Sequence, residues 1–118
     1  MKKVLVVDNN QETLDIMELI LKENGYSSVT AQSYKTILPI IYKNKPDIII
    51  LDVMLENEDG RNICLQLKNT DRTKDICVIL LSAFHEKLIG YKTFKASGIL
   101  AKPFHDEDLL KVLETCDN

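Results

Sequence analysis

Short apolar runs alternate along this chain with stretches in which apolar residues recur every three or four positions. "VLVV", residues 4–7, is an unbroken apolar run and predicts a buried strand. From Gln11 to Asn24 the residues Leu14, Met17, Ile20 and Leu21 fall on one helical face. Asn9 or Asn10 can cap that helix, with Glu12 or Thr13 three residues further on. Gly25 suits the position after its last turn. Val29–Ala31 predicts a short second strand. Ser33 opens a second helix to about Lys43, which Pro39 should kink or shorten. "PDIIILDV", residues 46–53, is apolar on both faces and belongs in the middle of a parallel sheet. Gly60–Lys68 reads as a third helix with Ile63 and Leu67 inward, and "ICVILLSA", residues 76–83, as a fourth strand. Glu86–Lys95 predicts a fourth helix, weakened by Gly90. Ile99–Ala101 is a fifth, short strand, and Asp106–Thr115 a last helix with Leu109, Leu110 and Leu113 packed.

Strand–helix alternation of this kind requires parallel strands joined by right-handed crossovers. The expected fold is α/β, a doubly wound five-stranded parallel sheet of order 2-1-3-4-5 with helices on both faces. Ligands bind such sheets outside the carboxyl ends of the strands, near the switch point between strands one and three.

Composition changes this picture little. At 118 residues the chain is read as one domain, 1–118, large enough for a core without metals or disulfides. A net charge of −3 argues against nucleic acid or an anionic membrane as a direct partner. No apolar run approaches the roughly 20 residues of a membrane span. Met1-Lys2-Lys3 leads straight into four apolar residues, too few for a signal peptide. A cytoplasmic location is therefore expected. Cys64, Cys77 and Cys116 are odd in number and none is paired at metal-ligand spacing, so reduced, structural thiols are expected.

The chemistry collects at the carboxyl edge. Strand one ends at Asp8, strand three at Asp52, strand four at Ser82, and strand five at Lys102, followed by Pro103. Two carboxylates with a backbone carbonyl make an oxygen-only site suited to Mg²⁺ and its retained waters. Beside a metal ion a carboxylate can attack phosphorus. Lys102 offers a point charge, and Ser82 a hydroxyl, to phosphoryl oxygens. No phosphate-cradling glycine loop and no G-x-S-x-G elbow is present.

With "VLVVD", "IIILDVMLENEDG", "VILLSA" and "ILAKPF" in place, the chain resembles, from end to end, a response regulator receiver domain of bacterial two-component systems, similar to the chemotaxis regulators. That resemblance implies a flavodoxin-like sheet and a regulatory domain catalysing only its own phosphorylation and dephosphorylation. It implies that Asp52 accepts a phosphoryl group from a phosphohistidine of a sensor histidine kinase or phosphotransfer protein. Asp8, Asp52 and the backbone carbonyl of Met54 would hold Mg²⁺. Lys102 would pair with Asp52 and later with the phosphoryl group. Ser82 would swing inward and rearrange the fourth strand, fourth helix and fifth strand. It also implies a downstream protein target, and a homodimer through the face of the fourth helix, fifth strand and fifth helix. The Lys102–Pro103 bond is often cis in this family. A stand-alone regulator is expected, because no output domain follows Asn118.

Three positions depart from the family pattern. Asn9 stands where a second acid usually binds the metal, so it would be a weak, neutral ligand. Glu56 stands where proline is common. Ile99 replaces the usual aromatic residue, which alters the aromatic switch. The stretch from Ser82 to Lys102 is also about two residues short. Two rivals compete with a phosphoaccepting receiver. One is a pseudo-receiver, a phosphorylation-independent interaction module, for which Asn9 argues. The other is a small Asp-nucleophile phosphohydrolase of the haloacid dehalogenase kind. The short chain and Asn10, where a second Asp would stand, count against it. His85 and His105 carry no expected role.

Overall fold

The computed structural model describes residues 2–55 and 57–116. Glu56, whose place in the loop after Asp52 departs from the family pattern, lies outside these residues, as do Met1, Asp117 and Asn118. The apolar runs form a five-stranded sheet: β1 (Lys3–Val7), β2 (Ser27–Ala31), β3 (Ile48–Asp52), β4 (Cys77–Ser82) and β5 (Gly98–Ala101). Their order is β2-β1-β3-β4-β5, with every pairing parallel. This is the doubly wound order expected from the alternation of strands and helices. A separate two-residue hairpin pairs Met54–Leu55 with Glu58–Asp59.

Alternation along each strand divides the interior in two. Leu5, Val7, Ile49, Leu51, Val78 and Leu80 point to one core, covered by α2 (Ile37–Asn44) and α3 (Gly60–Lys68). Val4, Val6, Ile48, Ile50, Ile79 and Leu81 point to the other, covered by α1 (Gln11–Glu23) and α4 (Asp106–Leu113). Residues Ile48 to Leu51 have no solvent exposure at all. Each such side chain contributes about 1.5–3 kcal/mol on burial. A one-residue slip of β3 would exchange the two faces, so its register, and with it the position of Asp52, is firmly set.

Helix ends follow local chemistry. Asn10, not Asn9, caps α1: its side-chain oxygen accepts from the N–H groups of Glu12 at 2.9 Å and Thr13 at 3.3 Å. Gly25 takes a left-handed φ of 85° just beyond that helix, a conformation glycine adopts without steric cost. Ser33 caps a 3₁₀ turn, Tyr34–Thr36, instead of an α-helix. α2 begins only at Ile37, so Pro39 falls in its first turn, where the missing N–H breaks no helical hydrogen bond.

Two expectations fail. The helix over Glu86–Lys95 does not form; two 3₁₀ turns, His85–Lys87 and Tyr91–Phe94, take its place. Gly90, at φ 73°, and Lys95, at φ 64°, are both left-handed and interrupt any continuous helix. Leu88 is still buried, but Ile89 is left 78% exposed. The cysteines are not all reduced either. Cys77 and Cys116 form a disulfide across 39 residues, and only Cys64 is free and buried. The pairing is topological. α4 runs back along the sheet and returns the chain terminus to the amino edge, where β4 begins. Sequence spacing carries no trace of that proximity.

Candidate functional site

Asp8, Asp52, Ser82 and Lys102 lie at the carboxyl ends of β1, β3, β4 and β5. Lys102 joins the two acids. Its Nζ lies 2.6 Å from Asp8 Oδ2 and 3.4 Å from Asp52 Oδ2. Asp8 is fully buried and Asp52 nearly so. Each acid has a second oxygen anchored to backbone: Asp8 Oδ1 accepts from the N–H of Asn10 at 2.9 Å, and Asp52 Oδ1 from the N–H of Met54 at 3.0 Å. The side chain of Lys102 is held at the edge because its own N–H donates to the Ser82 carbonyl at 2.9 Å. The Lys102–Pro103 bond is cis.

Ser82 is buried, and its hydroxyl oxygen accepts from the N–H of Phe84 at 2.9 Å. The hydroxyl proton remains available for donation. Asn9 is exposed beside the site, while Asn10 is engaged in the α1 cap. Position 10 is thus an amide serving as a helix cap, where a phosphohydrolase of the haloacid dehalogenase kind would carry a second acid. Met54 opens the short hairpin two residues after Asp52 and is exposed. His85 and His105 are exposed, at the start of a 3₁₀ turn and at the entrance to α4 respectively.

Burial is the main force raising the Asp52 carboxyl above its ordinary value; Asp8 nearby adds to it, and the Met54 N–H and Lys102 oppose it. Two acids therefore share one ammonium in a poorly solvated place. The oxygen Asp8 Oδ2 is buried, receives no aligned hydrogen bond, and has the Lys102 ammonium as its neighbour. A buried acceptor in that condition fits a hard cation supplied with oxygen donors. Among the described residues no group of three or more His, Cys, Asp or Glu is placed to hold a metal. Asp8 and Asp52 are the two carboxylates at this edge, and position 9 beside them is an amide.

Two features around the site had no signal in the sequence pattern. The first is Tyr34, 6% exposed, whose hydroxyl donates to the carbonyl of Asp52. The second is the closeness of α3: a Cβ on Gly60 would stand 2.4 Å from the Asp52 carbonyl oxygen and 2.7 Å from the Tyr34 hydroxyl. Gly60 also donates its N–H to the Val53 carbonyl at 2.7 Å. Asp59, next to it, caps α3 through the Arg61 N–H and pairs with the Arg61 guanidinium at 2.6 Å. That guanidinium, the chief cause, holds the Asp59 carboxyl below its ordinary value.

Comparison with known proteins agrees with this geometry. The family model described as "Response regulator receiver domain" matches residues 4–114. The chemotaxis response regulator CheY4 of Vibrio cholerae is 29% identical, with a TM-score of 0.87 over 98% of each chain. A chain from Chloroflexus aurantiacus assigned as a response regulator is 30% identical, with a TM-score of 0.89 over 99% of this chain and 98% of that one. The response regulator TrrA of Thermotoga maritima, solved in complex with Mg²⁺ and BeF, is 25% identical; its TM-score is 0.84 over 98% of this chain and 99% of that one. From the four-residue carboxyl edge to the match along nearly its whole length, the chain belongs to the response regulator receiver domain family.

Proposed function

We propose that this chain is a phosphoaccepting receiver, a single regulatory domain over residues 1–118 that works in the cytoplasm. The observation that carries the reading is the Lys102 ammonium placed between Asp8 and Asp52 at the switch point of the sheet. In the reaction, an Asp52 carboxylate oxygen attacks the phosphorus of a phosphohistidine on a sensor histidine kinase or phosphotransfer protein. An O–P bond forms, the N–P bond breaks, and the histidine ring leaves with the electron pair.

Asp8, Asp52, the Met54 carbonyl and, as a weak neutral ligand, the Asn9 amide oxygen would hold Mg²⁺. The neighbour solved with Mg²⁺ and BeF supports that assignment by likeness. When bound, the ion neutralises the charge that gathers on the acids and the transferred group. Lys102 then moves its charge from Asp52 to a phosphoryl oxygen. Ser82, with its proton free, donates to another. The new group carries charge and acceptor oxygens, and it favours the arrangement in which Ser82 and Lys102 have moved inward. Ile99, 38% exposed, stands on the output side, so a downstream target meets apolar surface there. A homodimer would use the same face: the 3₁₀ turns, β5 and α4.

The experiment is incubation with a small phosphodonor and Mg²⁺, followed by intact mass. One phosphoryl mass is expected on the wild type and none on Asp52→Ala. Asn9 favours a second reading, a pseudo-receiver that binds partners without phosphorylation. Absence of the phosphoryl mass from folded wild type would decide for it.

A further inference from the structure

We infer that the Cys77–Cys116 pair is a reversible thiol–disulfide exchange site that takes small thiols. Neither sulfur belongs to the carboxyl edge. Cys77 is the first residue of β4 and Cys116 lies in the 3₁₀ turn after α4, at the opposite end of the sheet. Both residues are half-buried. They border an open cleft of about 550 Å³ that also carries Lys2, Lys68 and Lys74 against Asp47 and Asp75. Asp47 accepts the Lys3 N–H at 2.9 Å, and Lys74 pairs with Asp71 at 3.8 Å. Lys2 Nζ donates to the Cys116 carbonyl at 3.0 Å and Lys68 Nζ to the Ile76 carbonyl at 2.8 Å. Two ammonium groups are thus fixed to backbone at the two ends of the cross-link, on the same cleft as the sulfurs; a positive charge near a cysteine favours its thiolate.

Three further observations separate this bond from a purely structural one. The two cores are assembled around the sheet, and a domain of this size does not need a cross-link to fold. Cys116 sits in the last described turn, packed at the rim of the α1 and α4 core and not within it. The third cysteine cannot scramble the pair: Cys64 is fully buried in the other core, and burial pushes its thiol up to about 11. A protein disulfide in a thiol-rich compartment is ordinarily transient and redox-responsive.

The exchange balances with two equivalents of thiol. A thiolate attacks one Sγ, the S–S bond breaks, and the electron pair leaves on the other Sγ, which takes up a proton. A second thiolate attacks the mixed disulfide and expels the remaining cysteine. The protein cystine is reduced to two thiols, and two small thiols are oxidised to their disulfide.

The test uses the full chain and glutathione as probe. The oxidised protein is incubated in native buffer with reduced glutathione at millimolar level, quenched with acid, alkylated and weighed. Two alkyl groups are expected, on Cys77 and Cys116, with Cys64 unlabelled until denaturant is added. Oxidised glutathione should reverse the change, and the melting temperature should fall by roughly 10 °C on reduction. Cys116→Ser, altered only in the terminal turn, should melt like the reduced wild type under both conditions. A bond that resists glutathione until the protein is denatured would overturn the proposal. So would cysteines that stay reduced after treatment of the folded chain with oxidised glutathione.

Discussion

Replacing Lys102 by methionine keeps the length and apolar stem of the side chain and removes its charge. Two carboxylates, one fully buried, then face each other with no cation between them. Breaking a buried ion pair by deleting one partner costs about 3–5 kcal/mol. The Lys102 side chain is 23% exposed, so solvent offsets part of this, and a loss of about 2–3 kcal/mol is expected. Against a typical domain stability of roughly 5–15 kcal/mol that is a large fraction. Urea unfolding followed by far-ultraviolet circular dichroism at pH 7 should show the midpoint lower by about 1–2 M. Two further arms separate charge from packing. Acidification protonates Asp52, whose carboxyl is raised above its ordinary value, so the gap between wild type and variant should narrow toward about pH 3. Mg²⁺ binding only the folded form at about a hundred times its dissociation constant should restore about 2.7 kcal/mol. A midpoint unchanged at pH 7, or a loss equally large at pH 3, would refute the reasoning.

Asp52→Asn should stabilise the fold at pH 7. An acid raised in the folded state holds a proton the unfolded chain has released, so stability falls as pH climbs from the ordinary carboxylate range through the folded value. The variant should lack that slope, and a wild type whose stability rises across the same window would contradict the assignment. Gly60→Ala drives a methyl group against the Asp52 carbonyl and the Tyr34 hydroxyl; about 3 kcal/mol should be lost in urea unfolding, the upper end for overpacking, and a loss under about 1 kcal/mol would mean α3 yields freely. Asn9→Asp should tighten Mg²⁺ roughly 10–100-fold in calorimetric titration at fixed ionic strength, and equal affinities would show that position 9 does not meet the metal.

The fold was legible because β1, β3 and β4 are buried on both faces and announce themselves as apolar runs between caps and turns. The edge chemistry was legible for the same reason: Asp8, Asp52, Ser82 and Lys102 each stop or follow such a run, and strand order brings the ends together. Gly90 was visible as a weakness, but its left-handed φ, which breaks the segment into two turns, depends on how residues 83–97 fit over β4 and β5. The Cys77–Cys116 bond and the Tyr34 hydrogen bond depend on tertiary return of the chain, 39 and 18 residues apart. No periodicity encodes contacts of that kind.

β3 is hydrogen-bonded to β1 on one side and β4 on the other, and solvent reaches neither of its faces. Amides in such a strand exchange only when the whole domain opens. Asp52 is therefore mounted on a stator. Across the site, residues 83–97 hold only single turns, with Phe84 and Ile89 open to solvent, and their amides should exchange orders of magnitude sooner. Under the phosphorylation proposed at Asp52, motion would pass through Ser82 and Lys102 into that compliant segment, with the stiff strand as the fixed point against which it turns.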